Sequence, residues 1–218
     1  MKSHSLPLLL FPFLLIHLHP SSAILDPATI DESYAASPST SDAPESDATQ
    51  FIRTSCQSTL YPDLCFNSLV FYANTIQHDP ARLARIAIKI SLSRAKRMAS
   101  YMSYMSRQAD YRAEPTIQAA LHDCYAMFGD AVDQMRGSLK QMRRLTGSGE
   151  SLRFQVSNVQ TWLSAAMTNE DTCTDGLMDI IPEGEVKDDV IDRVYKAMHV
   201  TSNALALVNQ FVAKFLNP

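Results

Sequence analysis

The sequence predicts an all-α protein, an antiparallel four-helix bundle preceded by a short helical hairpin. Its 218 residues are 46% hydrophobic and 19% charged, a composition that excludes wholly disordered and collagen-like chains. Only 6 residues are glycine, which fits poorly with an all-β sandwich, because such folds need glycine at many turns. Apolar residues recur at helical spacing, and no segment alternates in polarity as a half-buried strand would.

Four long amphipathic segments define the predicted bundle. Asp79 and Pro80 suit the N-cap and first helical position of the first segment, and Glu114-Pro115 opens the second. The first segment starts at Ala81, the second ends at Gly147, the third runs from Ser151 to Met167 and the fourth from Val186 to Leu216. Short polar turns join them, as in an antiparallel bundle. Residues 50–75, before the bundle, predict a hairpin of two shorter helices broken at Tyr61-Pro62.

The four cysteines fit this layout. Cys56 and Cys65 lie on either side of the break in the hairpin, Cys124 lies on the apolar stripe of the second segment, and Cys173 follows the third. Three pairings are possible in principle. We favour Cys56–Cys65 and Cys124–Cys173, because each joins segments that the bundle places side by side. A zinc site is the competing interpretation, and it fails because no C-x₂₋₄-C pair exists.

The N-terminal residues predict two segments outside the bundle. Residues 1–23 have the features of a signal peptide: Lys2, an apolar run over residues 6–16, and small residues before a cleavage site after Ala23. The apolar run is too short to span a bilayer, so we expect no membrane segment in the mature form. Residues 24–49 contain only acidic charges together with serine and proline, which predicts a flexible linker. The mature protein is therefore expected to be extracellular.

Charge is distributed unevenly over the predicted helical domain, residues 50–216. The domain contains 18 basic and 17 acidic residues, and the whole chain has a net charge of −4, which indicates no general affinity for nucleic acid. Residues 81–112 hold eight basic residues, however, and residues 165–192 hold nine acidic ones. We interpret the basic stretch as a solvated helix face; contact with an acidic polysaccharide is the alternative.

Four strings of residues, in order along the chain, resemble the plant invertase and pectin methylesterase inhibitor family. The first runs from Cys56 to Cys65 (CQSTLYPDLC) and the second from Ala120 to Val132 (ALHDCYAMFGDAV). The third, Val159 to Gly176 (VQTWLSAAMTNEDTCTDG), is the strongest, and the fourth is Thr201 to Asn209 (TSNALALVN). Each string alone is weak, but four in order with correctly placed cysteines are specific. The resemblance covers about residues 50–216.

The resemblance implies an N-terminal α-hairpin on an up-down-up-down four-helix bundle with two sequential disulfides. It also implies a secreted inhibitor that binds pectin methylesterase, in a 1:1 complex, across the substrate cleft and so limits demethylesterification of cell-wall pectin. The amino-acid sequence of the third string resembles the pectin methylesterase inhibitors more than the invertase inhibitors and so favours this target. Acid invertase is the alternative target, and a structural cell-wall protein without an enzyme target is a third possibility. Because no esterase domain follows Pro218, the chain resembles a free inhibitor.

The resemblance further implies that Asp130, Asp133, Thr172 and Asp175 contact the partner enzyme. Spacing supports the first two independently, because residues i and i+3 share one face of a helix. Many relatives have a glutamate two residues after the cysteine of the second string, where this sequence has Ala126. The aspartates have an alternative interpretation as solvated helix acids. Thr172 has one as an N-cap or a turn residue beside the disulfide.

The sequence does not indicate an enzyme, a cofactor or a metal site. His122 lies near Cys124, but neighbouring helical residues point about 100° apart, and Cys124 is expected to be oxidised. Asp130 and Asp133 resemble an acid–base pair, yet no second base or metal-ligand spacing accompanies them. We therefore expect a protein that acts by binding another protein.

Overall fold

The computed structural model describes residues 46–108 and 114–215, and every regular element among them is helical. The predicted signal peptide, residues 1–23, lies outside the described residues, as does the predicted linker up to residue 45. The helices are α1 (Asp47–Cys56), α2 (Pro62–Leu69), α3 (Ala73–Ile76), α4 (Pro80–Gln108), α5 (Pro115–Arg143), α6 (Gly149–Met178) and α7 (Glu185–Phe215). α1 thus begins three residues before the predicted start of the domain.

Helices α4 to α7 form the four-helix bundle. Each packs against the next along the chain, and α4 also packs against α7, so that the four close into a ring with up-down-up-down connectivity. Apolar side chains at helical spacing fill the ring, and among the largest that are fully buried are Phe128, Met135, Leu163 and Leu177. The all-α fold predicted from the sequence is confirmed.

The starts of α4 and α5 follow from local chemistry. The side-chain Oδ1 of Asp79 accepts hydrogen bonds from the backbone N–H groups of Ala81 and Arg82, at 2.8 and 3.1 Å. This N-cap satisfies donors that the first helical turn leaves unpaired. Pro80 and Pro115 each occupy the first helical position, where a missing N–H costs nothing. Both helix starts agree with the sequence prediction.

Two predicted boundaries were wrong. α5 ends at Arg143, and Gly147 lies in the following loop with a φ of 80°, a left-handed conformation that favours glycine. α6 continues to Met178, eleven residues beyond the predicted end at Met167. Cys173 therefore lies inside α6 and does not follow it. The prediction stopped early because a run of polar residues, 168–172, interrupts the apolar pattern.

The hairpin consists of more pieces than predicted. After α2 the chain tightens into a 3₁₀ turn at Val70–Tyr72 and then forms the single turn of α3. The Cys56–Cys65 disulfide joins α1 to α2, as predicted. The buried Asn203 of α7 fixes the hairpin to the bundle, since its Oδ1 accepts from the Tyr61 N–H at 3.2 Å and its Nδ2 donates to the Tyr61 carbonyl at 2.9 Å.

Candidate functional site

The candidate contact residues lie on the exposed surface of two adjacent helices. Asp130 and Asp133 are on α5, Thr172 and Asp175 are on α6, and all four side chains are exposed. α5 and α6 pack against each other, and the exposed surface of these two helices that carries the four residues is here called the α5–α6 face. Thr172 and Asp175 lie at the level of the disulfide between Cys124 and Cys173, whereas Asp130 and Asp133 lie farther along α5. At 1.5 Å per helical residue, the two pairs are therefore offset along the bundle axis by roughly 10 Å.

The two aspartates of α5 differ in their surroundings. Asp133 pairs with Arg136 one turn later, and the side chains are 75% and 56% exposed. Such an exposed ion pair contributes at most about 1 kcal/mol, so it leaves Asp133 free to exchange partners. Asp130 forms no ion pair or side-chain hydrogen bond within the described residues and leaves its carboxylate fully available to a partner.

The two residues of α6 flank the second disulfide. Thr172 lies inside the helix, so its interpretation as an N-cap or turn residue was wrong. Its Oγ1 donates to the Thr168 carbonyl at 2.8 Å, which is the local bond that a helical threonine commonly makes. The hydroxyl oxygen can still accept a hydrogen bond from a partner. Asp175 is exposed two residues after Cys173.

Cross-links between α5 and α6 hold the face in one geometry. The Cys124–Cys173 disulfide, predicted from the sequence, joins the helices beside Thr172. Farther along, the Asn169 amide donates to Gln134 Oε1 at 3.1 Å in a half-buried position. A face held in this way loses little conformational entropy when it binds, and pre-organisation of this kind favours affinity.

Neither a cluster of metal ligands nor a membrane-crossing helix occurs among the described residues. Among residues 46–108 and 114–215, no three His, Cys, Asp or Glu side chains come together as metal ligands would. Within the same ranges, no helix has the length and apolar character that a bilayer crossing requires.

Comparisons with known proteins bear directly on this arrangement. Residues 50–207 match the family described as plant invertase/pectin methylesterase inhibitor. The chain belongs to this family. It is 42% identical over 168 residues to the "21 kDa protein" of Daucus carota, covering 77% of this chain and 86% of that protein. It is 40% identical over 194 residues to "Pectinesterase inhibitor 9" of Arabidopsis thaliana, covering 88% and 92%.

Solved structures support the fold of this inhibitor-family chain. A crystal structure of a mutant form of a pectin methylesterase inhibitor from Arabidopsis superimposes with a TM-score of 0.58 over 75% of this chain and 97% of that one. The sequence identity is 16%, so the likeness concerns the fold alone. The chain thus shares its fold with a solved pectin methylesterase inhibitor.

One buried acid of this family member was missed by the sequence analysis. Glu170 of α6 is completely buried, and neither carboxyl oxygen has a hydrogen-bond partner among the described residues. Burial raises its pKa to about 8, and the nearby Thr201 hydroxyl, which lowers the pKa, offsets only part of this effect. The Thr201 proton is donated to the Ala197 carbonyl at 3.2 Å. Glu170 is therefore protonated at neutral pH and below.

The sequence did contain a signal for this burial. Leu163, Ala166, Glu170, Cys173 and Leu177 follow the i, i+3, i+4 spacing of a single helical stripe, and the other four are apolar or disulfide-bonded. A glutamate in such a stripe is placed in the core by its neighbours. Its position between Asn169 and Asp171, both polar, hid that pattern.

Proposed function

We propose that this chain inhibits pectin methylesterase by placing its α5–α6 face across the substrate cleft of the enzyme in a 1:1 complex. The observation that carries the proposal is the similarity, over most of both chains, to relatives named pectinesterase inhibitors, among them "Pectinesterase inhibitor 9" at 40% identity. The amino-acid sequence of residues 159–176 supports the same target. Acid invertase remains the alternative target that the family name itself includes.

The geometry of the face explains how such a protein would block a cleft. A helical bundle is too wide and too rigid to enter a cleft as an extended substrate does, so it covers the opening. Asp130 and Asp175, both exposed, would then accept hydrogen bonds from donors at the rim or form ion pairs with cations there. Thr172 would accept through its hydroxyl oxygen. The inhibitor itself would perform no chemistry.

Secretion is part of the proposal. The predicted signal peptide would direct the chain out of the cell, where the esterase and its pectin substrate meet. Both disulfides support this location, because cystines persist in oxidising compartments and are rare in the cytosol. The predicted linker, which helix α1 shortens to residues 24–46, would take no part in the contact.

A parallel titration tests the proposal. The chain without residues 1–23 is titrated against a plant pectin methylesterase and an acid invertase at equal concentrations. We expect inhibition of the esterase and none of the invertase. Charge reversal at the face, Asp130→Arg with Asp175→Arg, should weaken esterase inhibition at least tenfold. Charge reversal on the hairpin, at the exposed Asp63→Arg, is the control and should leave it unchanged. Inhibition of invertase with intact esterase activity would refute the proposal.

A further inference from the structure

A groove of about 520 Å³ lies between α4 and α5, on a different side of α5 from α6. Leu92 and Leu139 contribute apolar surface to it. Its charged side chains are all basic and all exposed: Lys89, Lys96, Arg136, Lys140, Arg143 and Arg144. We call this surface the basic groove.

Within the described residues, acidic side chains balance almost none of this charge. Arg136 pairs with Asp133 at the edge of the groove. The other five cations form no ion pair with any acid in the described residues. Like charges that face each other across two helices repel, so this arrangement costs stability unless an anion occupies the groove.

Helix electrostatics account for only part of the cluster. Lys140 and Arg143 lie in the last turn of α5, where the macrodipole favours cations. Lys89 and Lys96 lie in the middle of α4, nine or more residues from either end, and gain nothing from its dipole. Lys89 and Lys96 thus form one row of cations on α4, and Arg136, Lys140 and Arg143 form another on α5. Each row spans seven residues, or roughly 10 Å, and the two rows face each other along the groove.

We propose that the basic groove binds a polyuronate chain, a linear polysaccharide with one carboxylate on each sugar. A linear polymer fits a groove between two helices, and its carboxylates, ionised above about pH 4, would pair in sequence with the two rows of cations. The apolar floor would contact the sugar rings. The choice of galacturonate among uronates rests on the proposed function, because demethylesterified pectin is the product of the esterase.

Other polyanions fit the groove less well. Single-stranded nucleic acid is held by basic grooves that also offer aromatic side chains for base stacking, and none of the described residues that line this groove is aromatic. A membrane surface is recognised by a helix that presents bulky apolar residues outward, whereas Leu92 and Leu139 lie at the bottom between two helices. A flexible chain of carboxylates is therefore the occupant that fits both the charge and the shape of the groove.

The groove and the α5–α6 face adjoin at the Arg136–Asp133 ion pair, but the groove also uses a helix that the face does not. Lys89 and Lys96 belong to α4, which contributes nothing to that face. A chain bound to demethylesterified pectin through the groove would therefore keep its inhibitory face exposed. The inhibitor would be concentrated where the esterase has already acted.

Calorimetric titration with unesterified oligogalacturonate tests the assignment. We expect binding that weakens as salt rises and as the methylesterification of the ligand increases. The variant Lys96→Gln with Arg143→Gln removes one cation from each row and should bind about tenfold more weakly. The control, Arg193→Gln with Lys196→Gln, makes the same change of charge on exposed residues of α7 and should bind as the parent does.

Each outcome decides between distinct alternatives. Equal binding to fully methylesterified pectin, or equal loss in both double variants, would overturn the assignment. So would binding to single-stranded DNA or to phosphatidylserine vesicles without binding to oligogalacturonate. Esterase inhibition, measured in parallel, should be the same in the groove variant and the parent. If the parent binds oligogalacturonate but inhibits no esterase, the groove is supported and the proposed function fails.

Discussion

Replacement of Glu170 by glutamine is expected to flatten the pH dependence of the stability of the bundle. The glutamate is buried without a hydrogen-bond partner for its carboxyl oxygens among the described residues, and burial raises its pKa from the ordinary 4.5 to about 8. The unfolded chain would expose this carboxyl to water, where it ionises at its ordinary pKa. Folding therefore favours the protonated form.

The sign and size of the effect follow from these two values. The folded state binds more protons between pH 4.5 and pH 8, so stability falls as pH rises through that window. The contribution is fully present below pH 4.5 and is lost by pH 8. At about 1.4 kcal/mol per pH unit, the loss between pH 5 and pH 7.5 is roughly 3 kcal/mol. A glutamine does not titrate, so the variant lacks this slope, whatever constant cost its buried amide adds.

Urea unfolding of both proteins at a series of pH values from 5 to 7.5, with the disulfides intact, measures this difference. The free energy of unfolding of the Glu170→Gln variant minus that of the parent should rise by roughly 3 kcal/mol across the series. Asp171→Asn makes the same carboxyl-to-amide replacement at an exposed neighbour; it is the control and should run parallel to the parent. If Glu170→Gln also runs parallel to the parent, Glu170 is not protonated in the folded protein and the reasoning fails.

Two further predictions concern the cross-links of the fold. Replacing both cysteines of the second disulfide, Cys124→Ser with Cys173→Ser, opens a loop of 49 residues and should lower the free energy of unfolding by about 4 kcal/mol. Thermal unfolding that matches the parent would contradict this. Asn203→Ala leaves the backbone N–H and carbonyl of Tyr61 without their side-chain partners and should cost about 1–3 kcal/mol. The exposed Asn74→Ala is its control, and equal melting temperatures for the two variants would show that the hairpin is held by other contacts.

The sequence predicted the features that local chemistry determines. Pro80 and Pro115 mark helix starts because proline is suited to the first helical position, and the structure places both there. The apolar stripes predicted the bundle because a helix with one apolar face must bury it against others. Both disulfides were predicted because each joins two helical segments that the predicted fold places next to each other.

Features that depend on contacts between distant residues were not predicted. Asn203 contacts Tyr61 across 142 positions, and nothing near either residue indicates that pairing. The extension of α6 to Met178 was missed because Cys173 and Leu177 are buried against other helices, while the residues between Met167 and Cys173 are mostly polar. Tertiary packing thus overrode a local pattern. The exposed aspartates of the candidate face came from resemblance, since spacing alone does not distinguish a contact residue from a solvated one.

The α5–α6 face depends on the register of its two helices more than on any one side chain. A slip of one turn would move Asp130 by about 5.4 Å relative to Thr172, which is enough to break a shared contact with a partner. Beyond the disulfide, the close approach of the Trp162 indole to Gly137 opposes such a slip, since a Cβ at position 137 would lie 3.3 Å from Trp162 Cε3. The disulfide, this contact and the hydrogen bond from the Asn169 side chain to Gln134 join the helices at three levels along their length. Each level restrains sliding separately, so the face keeps its geometry even where an exposed residue on it changes.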